Sequence, residues 1–114
     1  MPGMAPEYVD LAVQIVRFIE DYQPGIVEVE FTDAAGQPHR VIDKAPIFTT
    51  ATLSGDSVYP QPGTVRCSLL RVLQDKGGRE LLTISTAEPF SIETTEGLTQ
   101  FDVLPSQISR TSQP

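Results

Sequence analysis

Tryptophan is absent from this chain, histidine and cysteine occur once each, and only eight of its 114 residues are Lys or Arg. Each scarcity removes a class of chemistry. A lone cysteine, Cys67, excludes an internal disulfide, and its alternation with Val65 and Leu69 marks it as a small core residue. One His and one Cys, 28 positions apart, do not make a zinc pattern, so no metal is expected. No G-x-G-x-x-G follows a strand pattern, and neither a G-x-x-x-x-G-K phosphate loop nor a G-x-S-x-G elbow occurs. No cofactor is expected, no catalytic residue is assigned, and the reading leans away from an enzyme. The start MPGMAPEYVD lacks a basic, then apolar, leader, and no apolar run approaches the roughly 20 residues of a membrane helix. A soluble, unexported protein off the membrane is expected, with the cytoplasm favoured.

What is abundant is negative charge. The formal net charge is −7 and the sequence pI about 4.5, a field that repels phosphate backbones and makes nucleic acid an unlikely partner. The basic residues are scattered, without interleaved aromatics. The acidic residues Glu20, Asp21, Glu28, Glu30 and Asp33 instead crowd one predicted hairpin.

The chain reads as one β domain from residue 9 to 108, with a loose arm over 1–8 and a tail over 109–114. Two stretches, YQPGIVEVEF and PQPGTVRCSL, share a Gln-Pro-Gly followed by alternation. Pro24-Gly25 and Pro62-Gly63 therefore predict type II turns, each leading into a strand, and the pair raises an internal duplication as one explanation. Over Tyr8 to Tyr22 two periodicities compete. β-Branched residues favour a strand from about Val13 to Glu20, whereas the apolar set Tyr8, Leu11, Ala12, Ile15, Phe18, Ile19 and Tyr22 fits a helix. Asp33 to Gln37 is a hairpin turn returning through Arg40 to Asp43. Pro46 then leaves Ile47 to Thr50 as an edge piece or a continuation after a bend. Val65 to Leu73 and Glu80 to Thr86 form a second hairpin, and Phe90 to Glu93 and Leu98 to Leu104 are further extended pieces. Six or seven short strands predict an antiparallel, partly open barrel or sandwich. If Glu7 to Asp21 is helical, the alternative is a helix followed by a five-stranded Sm-like or SH3-like barrel.

Contact residues are expected in two places. The alternation puts Glu28 and Glu30 on a solvated strand face, which with Asp33 forms an acidic surface, either paired with Arg17 or Arg40 or kept for a basic partner. Reversing both to Lys is expected to leave the melting temperature nearly unchanged. The irregular stretch Thr52 to Gly63, carrying Asp56 and Tyr59, is the other place, because long loops host sites. His39 reads as an exposed turn residue without a positioned partner.

The segments VRFIEDYQPGIVEVEFTDAAG, Ile42-Asp43-Lys44-Ala45-Pro46, YPQPGTVRCSLL and TTEGLTQFDVLPSQ resemble short bacterial proteins that are themselves uncharacterised, over most of Val16 to Gln107. The resemblance implies a bacterial cytosolic protein and brings no activity with it. The functional expectation is an acidic protein-interaction domain, an accessory subunit or an immunity-type neutraliser with a basic protein partner. The alternative is a small-molecule-binding or catalytic barrel with its pocket under the 52–63 loop and Tyr59 as a wall. Oligomeric state is left open.

Overall fold

The computed structural model describes residues 7–20 and 25–110. Seven strands follow one another: β1 (Glu7–Glu20), β2 (Ile26–Thr32), β3 (Pro38–Lys44), β4 (Gln61–Gln74), β5 (Glu80–Ser85), β6 (Gln100–Val103) and β7 (Ile108–Arg110). Short 3-10 turns occupy Ala45–Ile47 and Pro105–Gln107. All strand pairs are antiparallel, in the order β3-β2-β1-β4-β5-β6 with β7 beside β1, and the sheet curls into a half-barrel. The all-β expectation holds, and the alternative with an N-terminal helix falls, because Glu7–Glu20 is the longest strand together with β4.

The helical spacing within β1 has a physical origin. Val9, Leu11, Val13 and Ile15 alternate inward and are buried, as a strand requires. The pairing with β2 then slips between Ile15 and Arg17 and again between Phe18 and Glu20. Each slip inserts one unpaired residue, a β-bulge that bends the strand and increases its twist. The next core side chain after Ile15 is therefore Phe18, three positions on, which imitates a helix in one dimension. These bends let β1 span both halves of the half-barrel, pairing β4 along Glu7 to Ile15 and β2 along Gln14 to Glu20.

The second Gln-Pro-Gly is not a turn. Gln61, Pro62 and Gly63 lie inside β4, opposite Ile15, Gln14 and Val13. The Thr64 amide donates to the Phe48 carbonyl at 2.9 Å on the edge away from β1. Pro62 shares that direction, so its missing N–H falls where no strand needs it. Gly63 is required by close approach, since a Cβ there would stand 2.9 Å from the Phe48 carbonyl and 3.1 Å from Ile15 Cδ1. The turn expected at Pro24 lies outside the described residues.

A different repeat organises the turns. Asp33, Asp75 and Thr94 each accept, on one side-chain oxygen, the amides two and four residues on. In each, the glycine three residues on adopts positive φ: Gly36 at 86°, Gly78 at 83° and Gly97 at 82°. An Asp or Thr, two free positions and a Gly make one turn, used three times.

Other boundaries differ from the sequence pattern. Pro46 sits in a 3-10 turn rather than before an edge strand, Phe90 to Glu93 is not extended in the sheet, and β6 is only Gln100–Val103. β1 begins at Glu7, within the expected arm, and Ser109 and Arg110 of the expected tail pair with Asp10 and Val9.

The terminal strands β3 and β6 do not form a ladder, yet the half-barrel is stitched where they approach. The Ala34 amide donates to the Asp102 carbonyl at 2.9 Å, and the Thr95 amide donates to the Arg40 carbonyl at 2.8 Å. Gln107 Nε2 donates to the Thr32 carbonyl at 2.8 Å. Inside this seam Phe31 meets Phe101 edge-on, with centroids 5.1 Å apart, and the His39 ring lies 4.7 Å from that of Phe101. Among the described residues no helix is long and apolar enough to cross a membrane.

Candidate functional site

Glu28 is buried, at 3% exposure, although its place in the alternation pointed to solvent. The correction has a simple cause. Arg17 on β1 and Arg40 on β3 flank β2 and fold over it, Arg17 Nε donating to Oε1 at 2.6 Å and Arg40 Nη1 to Oε2 at 2.7 Å. Arg40 also reaches Glu30 at 3.4 Å. Of the two outcomes open from sequence, salt pairing is what the geometry displays. Both Glu28 oxygens are engaged, and Glu30 keeps partial exposure.

His39, expected as an exposed turn residue, is 7% exposed and has a partner. The β2–β3 turn brings Asp33 back so that Oδ2 lies 2.9 Å from His39 Nε2, while Oδ1 takes the Ala35 and Gln37 amides. Partial burial works against ionisation of Asp33, but the bonds from His39 and the two amides outweigh it and hold the carboxyl below its ordinary value of 3.8. The sign follows from linkage. A depressed folded pKa contributes stability that is present above about 3.8 and is lost as pH falls through the lower, folded value. Asp33→Asn is therefore expected to flatten the fall of melting temperature on acidification below about pH 4. Differential scanning calorimetry from pH 2 to 7 reads this, and an unchanged acid slope would remove Asp33 from the account.

A groove of about 330 Å³ opens beside this pair, walled by Leu81, Leu98 and Phe101 and edged by Arg79 and Asp102. Its charged groups are internally engaged. Arg79 Nε donates to Asp75 at 2.9 Å, and Asp102 accepts the Thr83 hydroxyl at 2.6 Å. Cys67 is far from such chemistry. It is buried against the Val9 carbonyl, and desolvation, with the nearby Asp10 carboxylate, pushes its thiol up to about 12. At pH 8 the thiolate is then about one part in ten thousand. Native protein should resist iodoacetamide at pH 8 and label fully in denaturant; rapid native labelling would contradict the buried thiol. Among the described residues no three His, Cys, Asp or Glu side chains cluster to hold a metal.

The loop over residues 48–60 is braced from within. The Tyr59 hydroxyl donates to the Ser54 carbonyl at 2.7 Å, Gln61 Nε2 donates to the Val58 carbonyl at 2.9 Å, and the Ser54 amide donates to Ser57 Oγ. Tyr59 packs on the core as a strut. Asp56 is exposed at the tip, and Val58 stands out at 80% exposure. The neighbouring depression, about 430 Å³, is lined by Pro46 to Thr50 and Pro62 to Thr64, without the Tyr59 ring.

Sequence reasoning passed over the segment Thr86 to Thr99. It holds Glu88, Glu93 and Glu96 and no Lys or Arg. All three carboxylates are exposed, and none joins an ion pair among the described residues. Phe90 and Leu98 project beside them, at 49% and 44% exposure. The backbone is nevertheless fixed: Ile92 is buried, Thr86 Oγ1 donates to the Ile92 carbonyl at 2.7 Å, and the Thr94 turn closes the far end. The available signal was a 14-residue stretch with three Glu, one Phe and no basic residue.

The predicted contact residues thus fall into separate places. Glu28 and Glu30 lie in the charge ladder, Asp33 in the seam, and Asp56 and Tyr59 in the braced loop. Comparison with protein-family models, curated proteins and solved structures matches none of them to this chain.

Proposed function

We propose that the chain is a non-catalytic interaction domain that binds a basic surface on a protein partner through Thr86 to Thr99, as an accessory subunit or an immunity-type neutraliser in the bacterial cytoplasm. The observation that carries this reading is the combination found in that segment. An exposed aromatic stands among unpaired carboxylates on a backbone that is already ordered, so little freedom is lost on binding. A chain of net charge −7 steers toward basic partners over distances of about a Debye length, ~8 Å at physiological salt. Asp56 and Val58 on the second braced loop offer the same pairing of acid and apolar side chain.

The test is affinity capture from bacterial lysate at low and raised salt, comparing wild type with Phe90→Asp and with Glu88→Lys/Glu93→Lys/Glu96→Lys. A stoichiometric partner that wild type retains at low salt and both variants lose, with melting temperatures within about 2 °C of wild type, supports the reading. Identical capture by all three proteins, or no capture at either salt, overturns it.

A second reading rests on the depression beside Pro62 and Gly63, large enough for a small metabolite. A ligand present at 100 times its Kd would stabilise the fold by about 2.7 kcal/mol, which a thermal-shift screen detects. No shift from a broad metabolite panel would set this reading aside.

A further inference from the structure

We infer that the groove beside His39 is a binding site for a primary ammonium group carried on a short apolar chain. Its key atom is an acceptor that the fold leaves open. The His39 side chain is only 6% exposed, and its Nε2 stands 2.9 Å from Asp33 Oδ2. Asp33, held below its ordinary value, is a carboxylate at neutral pH and can only accept. Nε2 therefore carries the proton, and in the neutral ring Nδ1 keeps its lone pair. Among the described residues no protein group bonds Nδ1. None of their sealed side-chain nitrogens or oxygens lacks a partner either, so Nδ1 is within reach of solvent. A ring this enclosed, set in a groove wall with one lone pair still open, is oriented for a donor from outside.

The other groups of the groove decide what that donor is. Arg79, its permanent cation, is already engaged by Asp75 at 2.9 Å and by the Ala34 carbonyl at 3.3 Å. Asp102 uses Oδ1 for the Thr83 hydroxyl and leaves Oδ2 without a partner among the described residues. Two open acceptors, one of them a carboxylate, on a chain of net charge −7 favour a cation and disfavour an anion. An ammonium, with three donors and no acceptor, matches them. Leu81, Leu98 and Phe101 wall the same groove and suit an alkyl stem, as the stem of a lysine lies along apolar surface while its head meets polar atoms. The volume of about 330 Å³ is at the small end for ligand pockets, which fits a chain of a few carbons. His39 also lines a second groove, of about 280 Å³, with Glu30, Arg40 and Glu96. That groove offers Pro38 in place of the three apolar walls, so the stem selects the first. The inference does not depend on Thr86 to Thr99 meeting a partner protein.

Nitrogen NMR of the imidazole ring, on the untagged full chain at fixed neutral pH, tests the inference, and a single histidine makes its signals unambiguous. Titration with n-pentylamine is expected to move the Nδ1 resonance and the Ala34 and Ala35 amides, with a Kd on the order of 1 mM. Nα-acetyl-lysine methylamide is the second arm. Its binding identifies a lysine side chain as the source of the ammonium, and binding of pentylamine alone identifies a free amine. 1-Pentanol and pentanoate, of similar shape, should bind about 10-fold more weakly than pentylamine or not at all. His39→Phe should weaken pentylamine binding about 10-fold. Asp102→Asn keeps an acceptor for the Thr83 hydroxyl and should weaken it about 3-fold or more, whereas Glu96→Gln, on the second groove, should leave it unchanged. If His39→Phe does not fold, the Nδ1 shift and Asp102→Asn still decide. No binding of either amine, equal binding of 1-pentanol, amide shifts without movement of Nδ1, or an Asp102→Asn protein of unchanged affinity overturns the inference.

Discussion

Glu28→Lys is expected to lower unfolding stability by about 3–5 kcal/mol, the range found when one partner of a buried charge pair is removed. The substitution does more than delete a carboxylate. It places an ammonium among the Arg17 and Arg40 guanidinia, whose nitrogens now stand 2.6 and 2.7 Å from the Glu28 oxygens. Val27 and Val29 on either side are fully buried, so the backbone cannot swing the new side chain out without uncovering core. Both arginines are more than half exposed and can retreat into water, which limits the loss at the upper end. Glu28→Gln keeps the shape and one acceptor and should cost only about 1–2 kcal/mol. Glu30→Lys, with one contact at 3.4 Å on a partly exposed side chain, should stay within about 1 kcal/mol. Urea unfolding of the three variants reads the order. A Glu28→Lys protein as stable as Glu30→Lys would show that the clamp contributes nothing, and the near-neutral reversal expected from alternation alone would stand.

That contrast shows where the sequence was legible. Alternation placed Val27, Val29 and Phe31 on one face correctly, because apolar side chains must leave water whatever their neighbours do. It could not foresee that Glu28, on the opposite face, would also be covered, because the covering groups come from residues 11 positions before and 12 after it. The β1–β2 register that sets Arg17 opposite Glu28 lies between two bulges, which strict alternation does not announce. The same bulges explain the conflict over Tyr8 to Tyr22, where the 15-to-18 spacing of core residues carried a helical period into a strand. Chain-local turns were the most readable feature: the Asp33 and Asp75 turns fall where Gly36 and Gly77-Gly78 placed them. Pro62-Gly63 misled because Pro and Gly are turn-formers by conformation. Here each serves another need, an unneeded amide on an open edge and room for a carbonyl.

The candidate site was less legible for a related reason. Net charge announced an acidic protein but not which carboxylates remain free, and that depends on where the few cations fold. Five arginines close on acids of β1, β2 and the Asp75 turn. Within the densest acidic hairpin Glu28 and Glu30 are thereby salt-paired and Asp33 is bound to His39, while a plainer stretch after β5 keeps three exposed carboxylates outside any ion pair among the described residues. His39 was misplaced because its partner, Asp33, lies six residues back across a turn whose closure is itself set by Asp33. One side chain thus fixes the turn through Oδ1 and the histidine through Oδ2.

Phe101→Ala should cost about 3–5 kcal/mol, as expected for truncating a buried aromatic, and its effect should be concentrated at the seam. Phe101 is opposite Ile84 on β6, and its ring fills the space between Phe31 and His39. Among the described residues β6 has a single strand neighbour, so it depends on this ring and on the Ala34-to-Asp102 bond to stay against the β2–β3 turn. Without the ring, that turn and β6 should separate more often than the β1–β4 pair, which runs through nine consecutive partners at the centre of the sheet. Hydrogen exchange makes the distinction. In the variant, the Ala34 and Thr95 amides, which bond across the seam, should exchange far faster than those of Val9 to Val13, beyond what global destabilisation imposes. Phe18→Ala, a partly buried ring packed elsewhere on the core, is the control and should raise exchange without singling out Ala34. If Phe101→Ala accelerates all these amides equally, the half-barrel opens as one cooperative unit and the seam is not its weak point.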